Sequence, residues 1–201
     1  MNIPKLGVPA SAGLAILASV LGAPAQAHHL IEILHLPVSP LNGLFSGLAH
    51  PVIGPDHLLF LLALSLVGLR ARAPWMLALL AVGLLGTGMG LLLPGLRGAE
   101  LLVALTLAVT ALVILGRLPV GVLIPAMALH GYALSTPVVG WSAMPLATYL
   151  LGLLISQGLL LLLALVVLQG IATGLAPTTR RWLAALLIGL SAAGGLAAVA
   201  G

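Results

Sequence analysis

His50 and His57 stand seven positions apart in the run His50-Pro51-Val52-Ile53-Gly54-Pro55-Asp56-His57, which also holds a carboxylate and two prolines. The run heads a stretch otherwise apolar enough to cross a membrane. An ionisable side chain inside such a segment is costly, so three within eight positions mark a functional site. Imidazole and carboxylate groups set in broken backbone are what a divalent transition-metal ion requires.

In an unbroken helix the two imidazoles share a face but lie about 10.5 Å apart along the axis, at a rise of about 1.5 Å per residue. Bonds of about 2.0–2.1 Å from one ion to each nitrogen do not bridge that gap. Pro51 and Pro55 each remove an N–H, and Gly54 tolerates unusual dihedrals, so a bend is expected to bring the rings together. With Pro55 as the first residue of the inner part, Asp56 falls in a first turn, where the amide dipoles keep it ionised and also repel a cation. A bound ion then needs Asp56 as a direct ligand or as the hydrogen-bond partner of an imidazole. The plainer alternative is a structural His–Asp pair that closes a kink.

A second chemistry-bearing segment is Leu129-His130-Gly131-Tyr132-Ala133. Alone, His130 reads equally as a buried hydrogen-bonding group or as a ligand; beside the first cluster the ligand reading is preferred. Gly131 permits close approach of a neighbouring helix, and Tyr132 can reach a carboxylate or sit at the membrane interface. Nearer the N-terminus, His28, Glu32 and His35 share one face if that segment is helical, with His29 flanking it. Such a cluster can collect metal from dilute solution, or it is simply a solvated terminus.

The elements that must position these groups are membrane helices. Of 201 residues 62% are hydrophobic and only 5% charged, with a mean hydropathy of +1.30, against about 25% charged in soluble domains. Apolar stretches run over 44–69, 74–93, 101–116, 119–134, 145–168 and 182–200, near the roughly 20 residues that a span needs. The expected fold is an all-α polytopic membrane bundle of about six transmembrane helices, seven if the leader is retained. Residues 1–27 read as a signal peptide, with Lys5, an apolar core and Ala23-Pro24-Ala25-Gln26-Ala27 as the cleavage site; a retained first helix is the alternative. A His-containing periplasmic segment over 28–43 and a transmembrane domain over 44–201 follow.

Placing that segment outside puts Arg70, Arg72, Arg117, Arg180 and Arg181 in the cytoplasm and only Arg97 outside, as the positive-inside rule prefers. The mature N-terminus is therefore expected to face the periplasm or exterior of a membrane that the chain crosses several times. His50 and His130 then share a depth near the outer ends of their spans. Seven basic residues scattered between spans offer no basic face to a nucleic acid; the lipid bilayer is the partner. With no cysteine, a metal must use His, carboxylate, Met or backbone oxygen. Gly83, Gly86, Gly88 and Gly90, and Gly152 with Ser156, read as helix-packing positions. There is no Gly-x-x-x-x-Gly-Lys-Ser/Thr loop, so ATP hydrolysis by that phosphate cradle is excluded.

The run from His50 to His57 resembles the first-helix signature His-Pro-x-x-Gly-x-Asp-His of the HupE/UreJ family of nickel and cobalt permeases, matching at every fixed position. The family's small size, cleavable leader and about six spans extend the resemblance over essentially the whole chain. Its second signature, Phe-His-Gly followed by Ala and in many members a further His and Glu, is partly kept. Leu129 stands for the Phe, and the downstream His and Glu are missing. The resemblance implies uptake of Ni²⁺, or alternatively Co²⁺, as transported substrate rather than catalysis. It also implies supply to a metalloenzyme such as hydrogenase or urease, with His50, Asp56, His57 and His130 as the metal site. Two other classes compete. An intramembrane zinc-dependent hydrolase needs a general base beside the metal, and Asp56 is the only acid within a span. A metal-free membrane scaffold leaves the costly buried ionisable groups without a purpose.

Overall fold

Apolar runs punctuated by proline, glycine and arginine become helices, and among the described residues there is no strand. The computed structural model describes residue 31 and residues 34–68, 73–172 and 176–200. The expected leader and three residues of the outer cluster, His28, His29 and Glu32, lie outside them. In chain order the helices are α1 (Pro40–Ile53), α2 (Pro55–Gly68), α3 (Ala73–Leu92), α4 (Ala99–Ile114), α5 (Leu123–Ala133), α6 (Ala143–Ala172) and α7 (Pro177–Ala200). Single 3₁₀ turns, Val120–Val122 and Thr136–Val138, flank α5.

Four segments are long and apolar enough to cross a membrane: Pro74–Leu92, Val120–Val138, Ala143–Val167 and Pro177–Val199. The bent pair α1–α2 makes a fifth if it is one span. Helix α4 is apolar but has 16 residues, a rise of about 24 Å against a hydrocarbon core of about 30 Å. The expected all-α membrane bundle is thus the fold that forms. Helix α1 begins ahead of its apolar run because Ser39 accepts a hydrogen bond from the Asn42 N–H at 3.2 Å and Pro40 takes the first helical position.

The break between α1 and α2 bends the chain by 69°. Pro51 has no N–H to give the Gly47 carbonyl, and in hydrocarbon that acceptor must be satisfied from elsewhere. The Ser156 hydroxyl of α6 reaches it at 3.3 Å, sharing its proton with the Leu153 carbonyl of its own helix at 3.4 Å. Gly54 itself sits at φ −79° and ψ 104°, extended backbone that any residue adopts. The expectation that Gly54 supplies unusual dihedrals is therefore corrected: what it supplies is room, since a Cβ there would lie 2.6 Å from Cδ2 of His57.

Three pairings assemble the bundle. Helix α1 lies along α6 at backbone contact, where a Cβ on Gly47 would overlap the Tyr149 carbonyl and one on Gly152 would overlap that of Leu44. Helix α3 lies as closely on α5, with Gly131 against the Gly83 carbonyl and the Thr87 hydroxyl donating to the Gly131 carbonyl at 2.9 Å. Helix α4 pairs with α7, where Gly194 meets Ala104 and Gly195 meets Leu101. Helix α2 runs through the middle, and its Phe60, Leu61, Leu64 and Ser65 are all buried.

Small residues thus set the interhelical distances, as lipid-embedded packing demands. Gly47→Ala is expected to destabilise the bundle by about 1–3 kcal/mol through overpacking against backbone. Gly88→Ala, which adds a Cβ with nothing within 4 Å, should stay within about 0.5 kcal/mol of the parent. Thermal denaturation of the detergent-purified proteins checks the pair; equal midpoints would contradict the contact.

Candidate metal centre

The bend turns His50, in the last turn of α1, toward His57 at the start of α2, and their ring centroids come to 5.1 Å. A straight helix would hold them twice as far apart along its axis. The last turn of α5 delivers His130, whose Nε2 lies 2.5 Å from Nδ1 of His57. These two rings stand edge to face, at 85° and 4.4 Å between centroids. All three imidazoles are buried, none more than 8% exposed. Half of the chain's six histidines therefore meet at one place from three helices.

Each outer member of the trio has a hydroxyl on its Nδ1. Tyr149 Oη of α6 lies 3.3 Å from Nδ1 of His50 and donates to the Leu134 carbonyl at 3.0 Å. Thr106 Oγ1 of α4 lies 3.5 Å from Nδ1 of His130 and donates to the Val103 carbonyl at 2.6 Å. Phe60 stacks nearly flat on His130, at 4.2 Å and 14°, and Trp141 packs against the Tyr149 ring at 5.8 Å. Five helices thus hold three rings.

The field at the cluster favours a cation from two sides. His50 and His130 each occupy the last turn of a helix, where the macrodipole presents its negative end. Helix α2 presents its positive end instead, and Asp56 sits in that first turn, where its carboxylate offsets the dipole. Asp56 is half-buried, with Oδ1 close to Gly54. Among the described residues it makes no hydrogen bond or ion pair with any of the three rings.

As the rings stand, no group of three or more His, Cys, Asp or Glu side chains among the described residues closes into a ready-made metal site. Two bonds of about 2.1 Å separate their nitrogens by about 3.0 Å at the right angle of a tetragonal site and by about 3.4 Å at a tetrahedral angle. The 2.5 Å between His57 and His130 must therefore open by about 0.5–1 Å to admit an ion.

The structure brings His50, His57 and His130 together and leaves Asp56 beside them. His35 has φ 51° and is exposed in a turn, so no helix continues through it. Tyr132 holds the α3–α4 connection, donating to the Leu93 carbonyl and accepting from the Leu96 N–H at 3.0 Å, rather than reaching a carboxylate. Tyr149 and Thr106 were not legible as site residues. The available signal was weak: a tyrosine and a threonine standing inside otherwise apolar runs.

A family profile described as HupE / UreJ protein matches residues 15–197. Comparison with curated proteins and with solved structures returned no match. The profile spans nearly the whole chain, including both histidine segments and the helices that join them, and the chain therefore belongs to the HupE/UreJ family, which is associated with nickel and cobalt uptake for hydrogenase and urease.

Proposed function

We propose that this protein is an inner-membrane permease that takes up Ni²⁺, with Co²⁺ as the alternative substrate, for a metalloenzyme such as hydrogenase or urease. The observation that carries the reading is the meeting of three buried imidazoles from separate helices at the negative ends of two of them. A hydrogen-bonded histidine trio with no such field would serve a fold equally well with amides or alcohols. Nitrogen ligands suit Ni²⁺ and Co²⁺ better than Mg²⁺ or Ca²⁺, which prefer oxygen.

In this reading His50, His57 and His130 are the ligands, and Asp56 lowers the cost of bringing a dication beside the N-terminus of α2. His28, His29, Glu32 and His35 form an outer capture site on the periplasmic side. The leader ends after Ala27, and six spans, counting α1–α2 as one and α4 as a short one, leave the mature N-terminus outside. Transport rather than hydrolysis fits the acid inventory, because Asp56 and Glu100 are the only acids among the described residues and neither touches the rings. The membrane potential assists inward flow at about 2.3 kcal/mol per charge per 100 mV.

His57→Ala and His130→Ala are each expected to abolish ⁶³Ni²⁺ accumulation in cells while leaving the amount of inserted protein unchanged; accumulation at the parental rate in either variant would sink the site. Gly54→Ala should impair uptake more mildly, because its Cβ presses on Cδ2 of His57. In proteoliposomes an inside-negative potential of 100 mV should raise the accumulated ratio of free Ni²⁺ by about three orders of magnitude, from about 4.6 kcal/mol on two charges. Insensitivity to potential would exclude uncoupled entry of the dication.

A further inference from the structure

We infer that Tyr149 and Thr106 are positioning residues that fix which nitrogen of His50 and of His130 carries the proton, and so which one meets the ion. The inference deepens the permease reading and rests on it for the identity of the ligand. A hydroxyl has a single proton. Tyr149 Oη gives its proton to the carbonyl of Leu134, the residue that caps α5, and a helix-end carbonyl in hydrocarbon has no water to turn to. The 3.3 Å contact with Nδ1 of His50 then closes only when Nδ1 carries the hydrogen and donates to Oη.

Thr106 repeats the arrangement from another helix. Its hydroxyl proton goes to the Val103 carbonyl at 2.6 Å, so its 3.5 Å contact with His130 requires Nδ1–H on that ring too. Both imidazoles are thereby held as Nδ1–H tautomers with the lone pair on Nε2. For His130 that lone pair faces Nδ1 of His57, which therefore carries the proton of the bond between them; an ion that enters between the two rings displaces that proton to Nε2 of His57 or to water. Phe60, stacked on the His130 ring, hinders the ring flip that would exchange the two nitrogens. Without either hydroxyl, part of the population presents an N–H to the ion, and partners of this kind are worth about 10–100-fold in metal affinity.

The test uses full-length protein with ¹⁵N-labelled histidine in lipid nanodiscs. Ring ¹⁵N shifts of the metal-free protein report the tautomers, and equilibrium dialysis of ⁶³Ni²⁺ reports affinity. The parent is expected to show Nδ1–H forms for His50 and His130. Tyr149→Phe should mix the tautomers of His50 alone, and Thr106→Val those of His130 alone. Each should weaken Ni²⁺ binding by about 10–100-fold. Thr106→Ser keeps the hydroxyl and should restore both readouts, which a loss of packing would not. Parental tautomers and parental affinity in both Tyr149→Phe and Thr106→Val would overturn the inference. If Tyr149→Phe does not fold, the two Thr106 variants decide it. A parent that shows the Nδ1–H forms yet binds neither Ni²⁺ nor Co²⁺ would defeat the permease reading and leave the tautomer assignment standing.

Discussion

The hydrogen bond that Pro51 cannot make organises the centre of this bundle. In hydrocarbon an unsatisfied carbonyl costs several kcal/mol, so the Gly47 carbonyl left open by Pro51 must find a donor on another helix. Ser156 reaches it only because Gly43, Gly47 and Gly152 let α1 and α6 touch at backbone distance. The same approach sets Tyr149, seven residues before Ser156, against His50. The missing N–H of Pro51 thus accounts for the intimacy of α1 with α6 and for the placement of the tyrosine, while Pro55, which stands at the break and has no N–H for the Pro51 carbonyl, accounts for the bend.

Electrostatics follow from the same break. A continuous first span would carry its macrodipole past His50 and His57 without ending near either. Splitting it creates two new helix ends beside the rings. The C-terminal end of α1 favours a cation at His50, and the N-terminal end of α2 opposes one beside His57. Asp56 occupies the first turn of α2, where it offsets that opposition. The short helix α5 adds a third end, again negative, under His130. Half-helices whose ends point at a substrate are a recurrent way to stabilise ions at membrane depth.

Much of this was legible in residues. Apolar run lengths located the helices, because spanning a bilayer leaves little freedom in length or composition. The prolines around Gly54 announced a bend that would unite His50 and His57, and the rings do approach to 5.1 Å. The role of Gly54 was misread, since its dihedrals are ordinary and the constraint is the ring of His57 above it. Tyr149 escaped notice because its contact with His50 spans 99 positions and depends on the small-residue seam between two helices, which no local pattern encodes. Thr106 escaped because a threonine in a membrane helix ordinarily bonds its own backbone, and this one does so as well.

On the permease reading, an ion at the three rings still faces a dry barrier. Inward of His57, α2 continues through Phe60, Leu61 and Leu64, all buried and packed in one core with Leu107, Leu123 and Met127. Phe60 both backs His130 and belongs to that core, so the ring that would hold the ion and the plug that would stop it are in contact. A ligand shifts a conformational equilibrium only by the difference in its affinity for the two states. Here that difference has a source. The hydrogen-bonded pair His57–His130 fits the closed packing, whereas a bridging ion needs its nitrogens about 0.5–1 Å further apart. Ion binding and the loosening of α5 from α2 are then one event, and the break at Pro55, which has no N–H to give the Pro51 carbonyl, is where that spreading meets least resistance.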